Sequence, residues 1–285
     1  MSDPMPEHRS GAVLHTSIEA SSRIGFERLV RVEWRKMHDT RAGFWLLLLT
    51  GLLLGVFMVV TLLVGLLNDD VADAISFAGI LTNVMIVPVS LLVPVLAITS
   101  VTSEWSQRTA LTTFTLEPSR GRILAAKAAV SVLIALATIV VALACAAAAT
   151  AIIAGGQGTE ANWSVDVGQL LVVLLVQVLV FMTAFGLGMC FLSSPAAIAV
   201  FYAATLILPL IGYAILFILF DWFATLIPWL DLQYASMPWT SDRWPDGDAT
   251  TVDGLAVARL ASASLIWLVL PLGLGARRIL RAEVK

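Results

Sequence analysis

Six long apolar runs, separated by polar breaks, dominate the chain, at 44–67, 80–101, 123–154, 168–192, 196–220 and 255–276. A helix rises 1.5 Å per residue and satisfies its own backbone polar groups, so about 20 such residues cross about 30 Å of hydrocarbon. The pattern therefore predicts an all-α, polytopic membrane protein with six transmembrane helices. At the same rise the third run would reach about 48 Å, so its first turns are expected to project into the cytoplasm. Pro88 and Pro94 predict kinks in the second run, because each removes a helix hydrogen bond. Ser193, Ser194 and Pro195 make a short break between the fourth and fifth.

The segments outside the runs have patterns of their own. Residues 1–20 are polar, lack a signal-peptide core and read as a flexible cytoplasmic tail. Over 21–43, Phe26, Leu29, Val30, Trp34 and Met37 recur at helical spacing, with Arg23, Arg28, Arg31, Arg35 and Lys36 around them. An apolar stripe with basic flanks predicts an amphipathic helix lying in the membrane interface; packing on protein is the alternative. Residues 44–285 form the six-span domain, with a cytoplasmic segment at 102–122. The stretch 221–254 is too apolar for a water-exposed loop at Trp222, Phe223, Leu226, Ile227, Trp229 and Leu230, yet Asp221, Pro228 and Asp231 interrupt any span. A short helical hairpin dipping into the outer leaflet is expected there.

Composition agrees: 59% of residues are hydrophobic and only 13% charged, with mean hydropathy +0.92. That excludes an ordinary soluble enzyme or binding module, and no nucleic-acid partner is expected. Only three of the 17 basic residues are Lys, and this Arg bias, with abundant Ala and Val, fits a bacterial source. Seven basic residues precede the first run, four lie between the second and third and four follow the sixth, fifteen of seventeen in all. The opposite loops are acidic. With positive charge retained inside, six spans place both termini in the cytoplasm of a bacterial plasma membrane. Trp163, Trp222, Trp229, Trp239 and Trp244 gather on the outer side, as an interfacial aromatic belt would.

Candidate chemistry is sparse. His8, His15 and His38 share no ligand spacing, and no GxSxG, HExxH or intramembrane Asp pair occurs, so no catalytic residue, resident cofactor or metal is expected. Cys145 and Cys190 read as small buried hydrophobes. Ion-coupled carriers generally keep a carboxylate near the midplane, and these runs carry none. Asn83 and Gln177 are the most polar central residues and read as interhelical hydrogen bonds. Arg259, one turn inside the last run, is expected to pair with Asp253 or to snorkel outward. Gly51 and Gly55 form a GxxxG, either a site of close helix approach or a lipid-facing coincidence.

The informative segment is TSEWSQRTALTTFTLEPSRGRILAAK, from Thr102 to Lys127. Trp105, Leu111, Phe114 and Leu116 set apolar surface among charges on the cytoplasmic side, which suggests a docking site for a partner protein; resting on headgroups is the alternative. Glu104, Arg108, Thr109, Thr112, Thr113, Pro118, Arg120 and Lys127, so spaced, resemble the cytoplasmic loop of membrane-spanning permease subunits of ABC transporters of the type-2 exporter class. VEWRKMHDTRAGFWLL, with an acidic residue and a Lys or Arg ahead of the first span, is similar to that family's opening, and RRILRAE to its basic end. In SQRT, Arg108 stands where members commonly carry Gly before the Thr.

The resemblance implies that the loop forms a coupling helix docked in a groove of a separate cytosolic ABC ATPase, two copies per transporter. Glu104 and Arg108 would then make polar contacts with the ATPase, with Trp105, Leu111 and Phe114 as buried anchors, and Thr109, Thr112, Leu116, Pro118 and Arg120 would complete the coupling site. It also implies that the interfacial helix helps form the docking surface, and that a second permease, identical or related, completes the path. The chain has no GxxxxGK[ST], and no Gly precedes any of its three Lys, so ATP and magnesium are expected on the partner. The resemblance implies export, and the nearly charge-free spans favour a hydrophobic or amphipathic cargo. The rival readings are an ATP-independent carrier or channel, and a non-transporting membrane interaction protein.

Overall fold

Each apolar run becomes a helix, and the computed structural model describes residues 25–68, 76–107, 119–241, 244 and 249–281. In chain order the helices are α1 (Phe26–Asp39), α2 (Arg41–Leu67), α3 (Phe77–Ser106), α4 (Arg120–Gln157), α5 (Val167–Phe191), α6 (Ser194–Leu219), α7 (Asp221–Leu230), α8 (Leu232–Thr240) and α9 (Gly254–Arg281). Among the described residues no helix alternates with a strand; the fold is all-α. Six helices, α2 to α6 and α9, are long and apolar enough to cross a membrane, as the sequence predicts. This is a multi-pass membrane protein.

The central element is α5. Phe181 and Phe185 are fully buried there, and the helix packs along α9 on one side and α3 on another. Two apolar clusters meet on it: α5 with α9, the end of α3 and the start of α6, and a second built from α2, α3 and α4 with Phe181. Close approach depends on glycine. A Cβ added to Gly186 would fall 2.6 Å from the Pro271 Cβ and 2.7 Å from its carbonyl carbon, and one on Gly275 would fall 2.5 Å from the Met189 Cβ. The GxxxG of α2 does not serve this purpose within the chain, since Cβ atoms on Gly51 or Gly55 would meet nothing within 4 Å.

Proline shapes two spans by a route the sequence reading did not specify. In α3 a π-helical turn, Leu81–Met85, immediately precedes Pro88. A proline ring clashes with the carbonyl four residues earlier, here Val84, and widening that turn relieves the clash. In α6 the π-helical stretch Ala203–Gly212 contains Pro209. The break between α5 and α6 lies where expected: Leu192 turns left-handed at φ 53° and donates its N–H to the Gly188 carbonyl, and Pro195 opens α6.

The over-long third span is longer than expected, 38 residues or about 57 Å at 1.5 Å per residue. Its early turns do not stand alone. Ile123, Ala126 and Lys127 are buried, because α1 and the end of α3 pack against them. At the opposite end of the bundle α7 and α8 pack on each other and on α9, with Asp231 at their junction. Gln177 donates to the Ser90 hydroxyl oxygen at 2.8 Å, the expected interhelical bond, whereas the Asn83 amide donates within its own helix to the Gly79 carbonyl. Arg259 does not pair with Asp253, whose carboxylate caps α9 at the Ala256 N–H; its guanidinium lies 6.0 Å from the centre of the Trp229 ring.

Candidate functional site

The end of the bundle that carries α1 holds a cluster of four charges. Glu33 and Lys36, three residues apart, share one face of α1; Glu104 lies two residues from the end of α3, and Lys127 two turns into α4. The first, third and fourth are buried, at 7%, 9% and 3% exposure. The Lys127 ammonium donates to Glu33 Oε2 at 2.6 Å, Glu104 Oε1 at 3.0 Å and the Ser100 carbonyl at 3.1 Å. Its three N–H groups are thus all spent. Lys36 donates to Glu33 Oε1 at 2.7 Å and to the same Glu104 oxygen at 2.9 Å.

Two carboxylates and two ammoniums make the cluster neutral. Desolvating such groups costs several kcal/mol per ion, on the order of what close pairing and full hydrogen bonding return, so the arrangement fixes geometry more than it adds stability. Its geometric result is that three helices distant in sequence converge on one cation. Burial alone would lower the Lys36 pKa, but the hydrogen bond and charge of Glu33 and the charge of Glu104 outweigh it and raise the group above its ordinary 10.5.

Around this cluster α1 turns Val30, Glu33 and Met37 inward, while Phe26 and Trp34 face outward at 45% and 38% exposure, and Leu29 lies half-buried between. The stripe seen in the sequence is therefore divided: part packs on α4, and part is left for the surroundings. Thr40 closes the corner into α2 by accepting the Gly43 N–H.

Among the residues predicted to contact an ATPase, Glu104 turns inward to Lys36 and Lys127, and Trp105 packs against the core cluster of α5 and α9. Arg120 donates to the Ile279 carbonyl at 3.0 Å, tying the start of α4 to the end of α9. Arg108, Thr109, Leu111, Thr112, Phe114, Leu116 and Pro118 lie outside the described residues. The described chain leads up to that loop on both sides, with Gln107 ending one approach and Ser119 opening the other. Sequence reading placed Glu33 in the opening motif and Lys127 in the loop motif but did not join them. The usable signal was an ammonium two turns inside an apolar helix, which requires a carboxylate partner. Among the described residues no group of three or more His, Cys, Asp or Glu could hold a metal ion. No protein-family model matches the chain, and no curated protein matches its sequence.

Proposed function

We propose that the chain is the permease subunit of a type-2 ABC exporter, driven by a separate cytosolic ATPase that binds ATP and magnesium. The observation that carries this reading is the four-charge cluster at the end of α3 and the start of α4, the two helices that lead into and out of residues 108–118. A partner that moves the loop would move α1, the end of α3 and the start of α4 together, because Lys127 binds all three. The loop's resemblance to an ABC coupling segment supplies the identity of the partner, and the six apolar helices supply the path.

In this reading both termini and the cluster face the cytoplasm of a bacterial plasma membrane. The outward residues of α1, Phe26 and Trp34 with Arg28, Arg31 and Arg35 beside them, rest among lipid headgroups. The helices α7 and α8 lie in the outer leaflet, where their Trp residues belong to the interfacial belt. A second permease, identical or related, completes the path against the least covered spans, and the cargo is hydrophobic or amphipathic.

Docking is tested by Leu111→Asp combined with Phe114→Asp. The double variant inserts normally into the membrane but no longer co-purifies with the co-expressed cognate ATPase, and parental co-purification would overturn the docking assignment. Stimulation of ATPase activity by the reconstituted chain separates the exporter from an ATP-independent carrier.

A further inference from the structure

A cavity of about 350 Å³ opens between α3, α5, α6, α9 and the start of α8, a volume within the range of small-molecule sites. Its lining divides by chemistry. At one end stands Asp231, 6% exposed, and the walls are apolar and aromatic, including Phe201, Tyr202 and Trp267.

The Asp231 carboxylate accepts the Tyr213 hydroxyl at 2.8 Å and the Tyr234 backbone N–H at 2.7 Å, with the Gln233 backbone N–H also directed at it, yet no cation pairs with it among the described residues. A buried carboxylate without a counter-charge is costly, and a carboxylate offers about four acceptor positions, so this one retains capacity for a further donor. The hydroxyls of the lining point the same way. Thr82, Ser90, Thr183, Tyr202 and Thr205 each donate to a main-chain carbonyl, those of Ala78, Ile86, Leu179 or Trp267, Leu91 and Phe201. With their protons spent, they can meet a ligand only as acceptors, and Ser90 and Thr82 already accept once, from the Gln177 and Asn83 amides. The amide of Gln233, at the exposed rim, is the donor that remains.

A space of acceptors and aromatic walls with one unpaired carboxylate selects a ligand that is cationic, rich in N–H donors and otherwise apolar. We propose that this cavity binds an amphipathic organic ammonium, its cation at Asp231 and its apolar body between α3, α6 and α9. That the bound molecule is the exporter's cargo rests on the function proposed above; the binding itself does not.

The test uses the full chain alone in phosphatidylcholine nanodiscs, with no ATPase present, so it stands or falls separately from the coupling assignment. The probe is the fluorescent primary amine monodansylcadaverine, compared with its N-acetyl derivative, which keeps the body and loses the ammonium; empty nanodiscs supply the lipid background. The parent chain binds the amine saturably and about tenfold or more tighter than the acetylated form, as a charge-assisted hydrogen bond requires. Asp231→Asn, which can still cap α8, removes that preference without weakening the acetylated form. Gln233→Lys, at an exposed position, introduces a competing ammonium and removes it too; this variant decides alone if Asp231→Asn does not fold. Equal binding of the two probes by the parent, no saturable binding of the amine, or parental preference in the variants that fold would overturn the proposal.

Discussion

Lys127 has no donor to spare. Replacing it with Met leaves the buried Glu33 and Glu104 without the cation they share in the interior, and breaking a buried ionic group from one side costs about 3–5 kcal/mol. Lys127→Met is therefore expected to lower the melting temperature of the detergent-purified chain sharply. Adding Glu33→Leu to it should return part of the loss, since the second change removes one orphaned charge. Strictly additive losses would show that the two residues are not coupled. Lys36 gives a pH prediction of definite sign. Its folded pKa lies above 10.5, so its contribution is present at lower pH and disappears as pH rises through the folded value. As pH rises from about 10.5 through the folded value, the parent should lose more thermal stability than Lys36→Gln, and parallel curves would remove Lys36 from the account.

The helices differ in how much contact they can surrender. Where α5 and α9 cross, the atoms nearest to a Cβ on Gly186 include main chain at Pro271 and Leu272, which cannot rotate away. Overpacking of this kind costs about 1–3 kcal/mol or more, so Gly186→Val should reduce the yield and melting temperature of the folded chain. Gly51→Val, on the open face of α2, should leave the isolated chain unchanged; equal damage at both positions would contradict the packing described for α5. The first helix shows why spacing alone is an incomplete guide. A stripe of Phe26, Leu29, Val30, Trp34 and Met37 is visible in sequence, but the face that packs is centred on an acidic residue, Glu33. Hydrophobic periodicity cannot anticipate an inward charge whose buried partner, Lys127, lies 94 residues along the chain.

At the scale of the molecule, legibility follows the range of the forces. The six spans were readable because burial in hydrocarbon is decided by about 20 neighbouring residues, and the break at Ser193 by even fewer. Tertiary pairings were not. Asp231 reads in sequence as an interruption between apolar stretches, and only the packing of α7 and α8 on each other turns it into a buried wall of a cavity. The two π-helical stretches were unreadable for a similar reason, since Pro88, Pro94 and Pro209 announce a defect without stating how the backbone absorbs it.

The π-turn of α3 has a mechanical meaning in relation to the charge cluster. One end of this helix is fastened by Glu104 and the Ser100 carbonyl to Lys127, whereas the other end carries the widened turn Leu81–Met85, whose Thr82 borders the cavity. A rod clamped at one tip and compliant near the other delivers an applied torque where it is soft. A push on the loop at 108–118 would then be felt as a change in the shape of the cavity wall, with little distortion at the clamp itself.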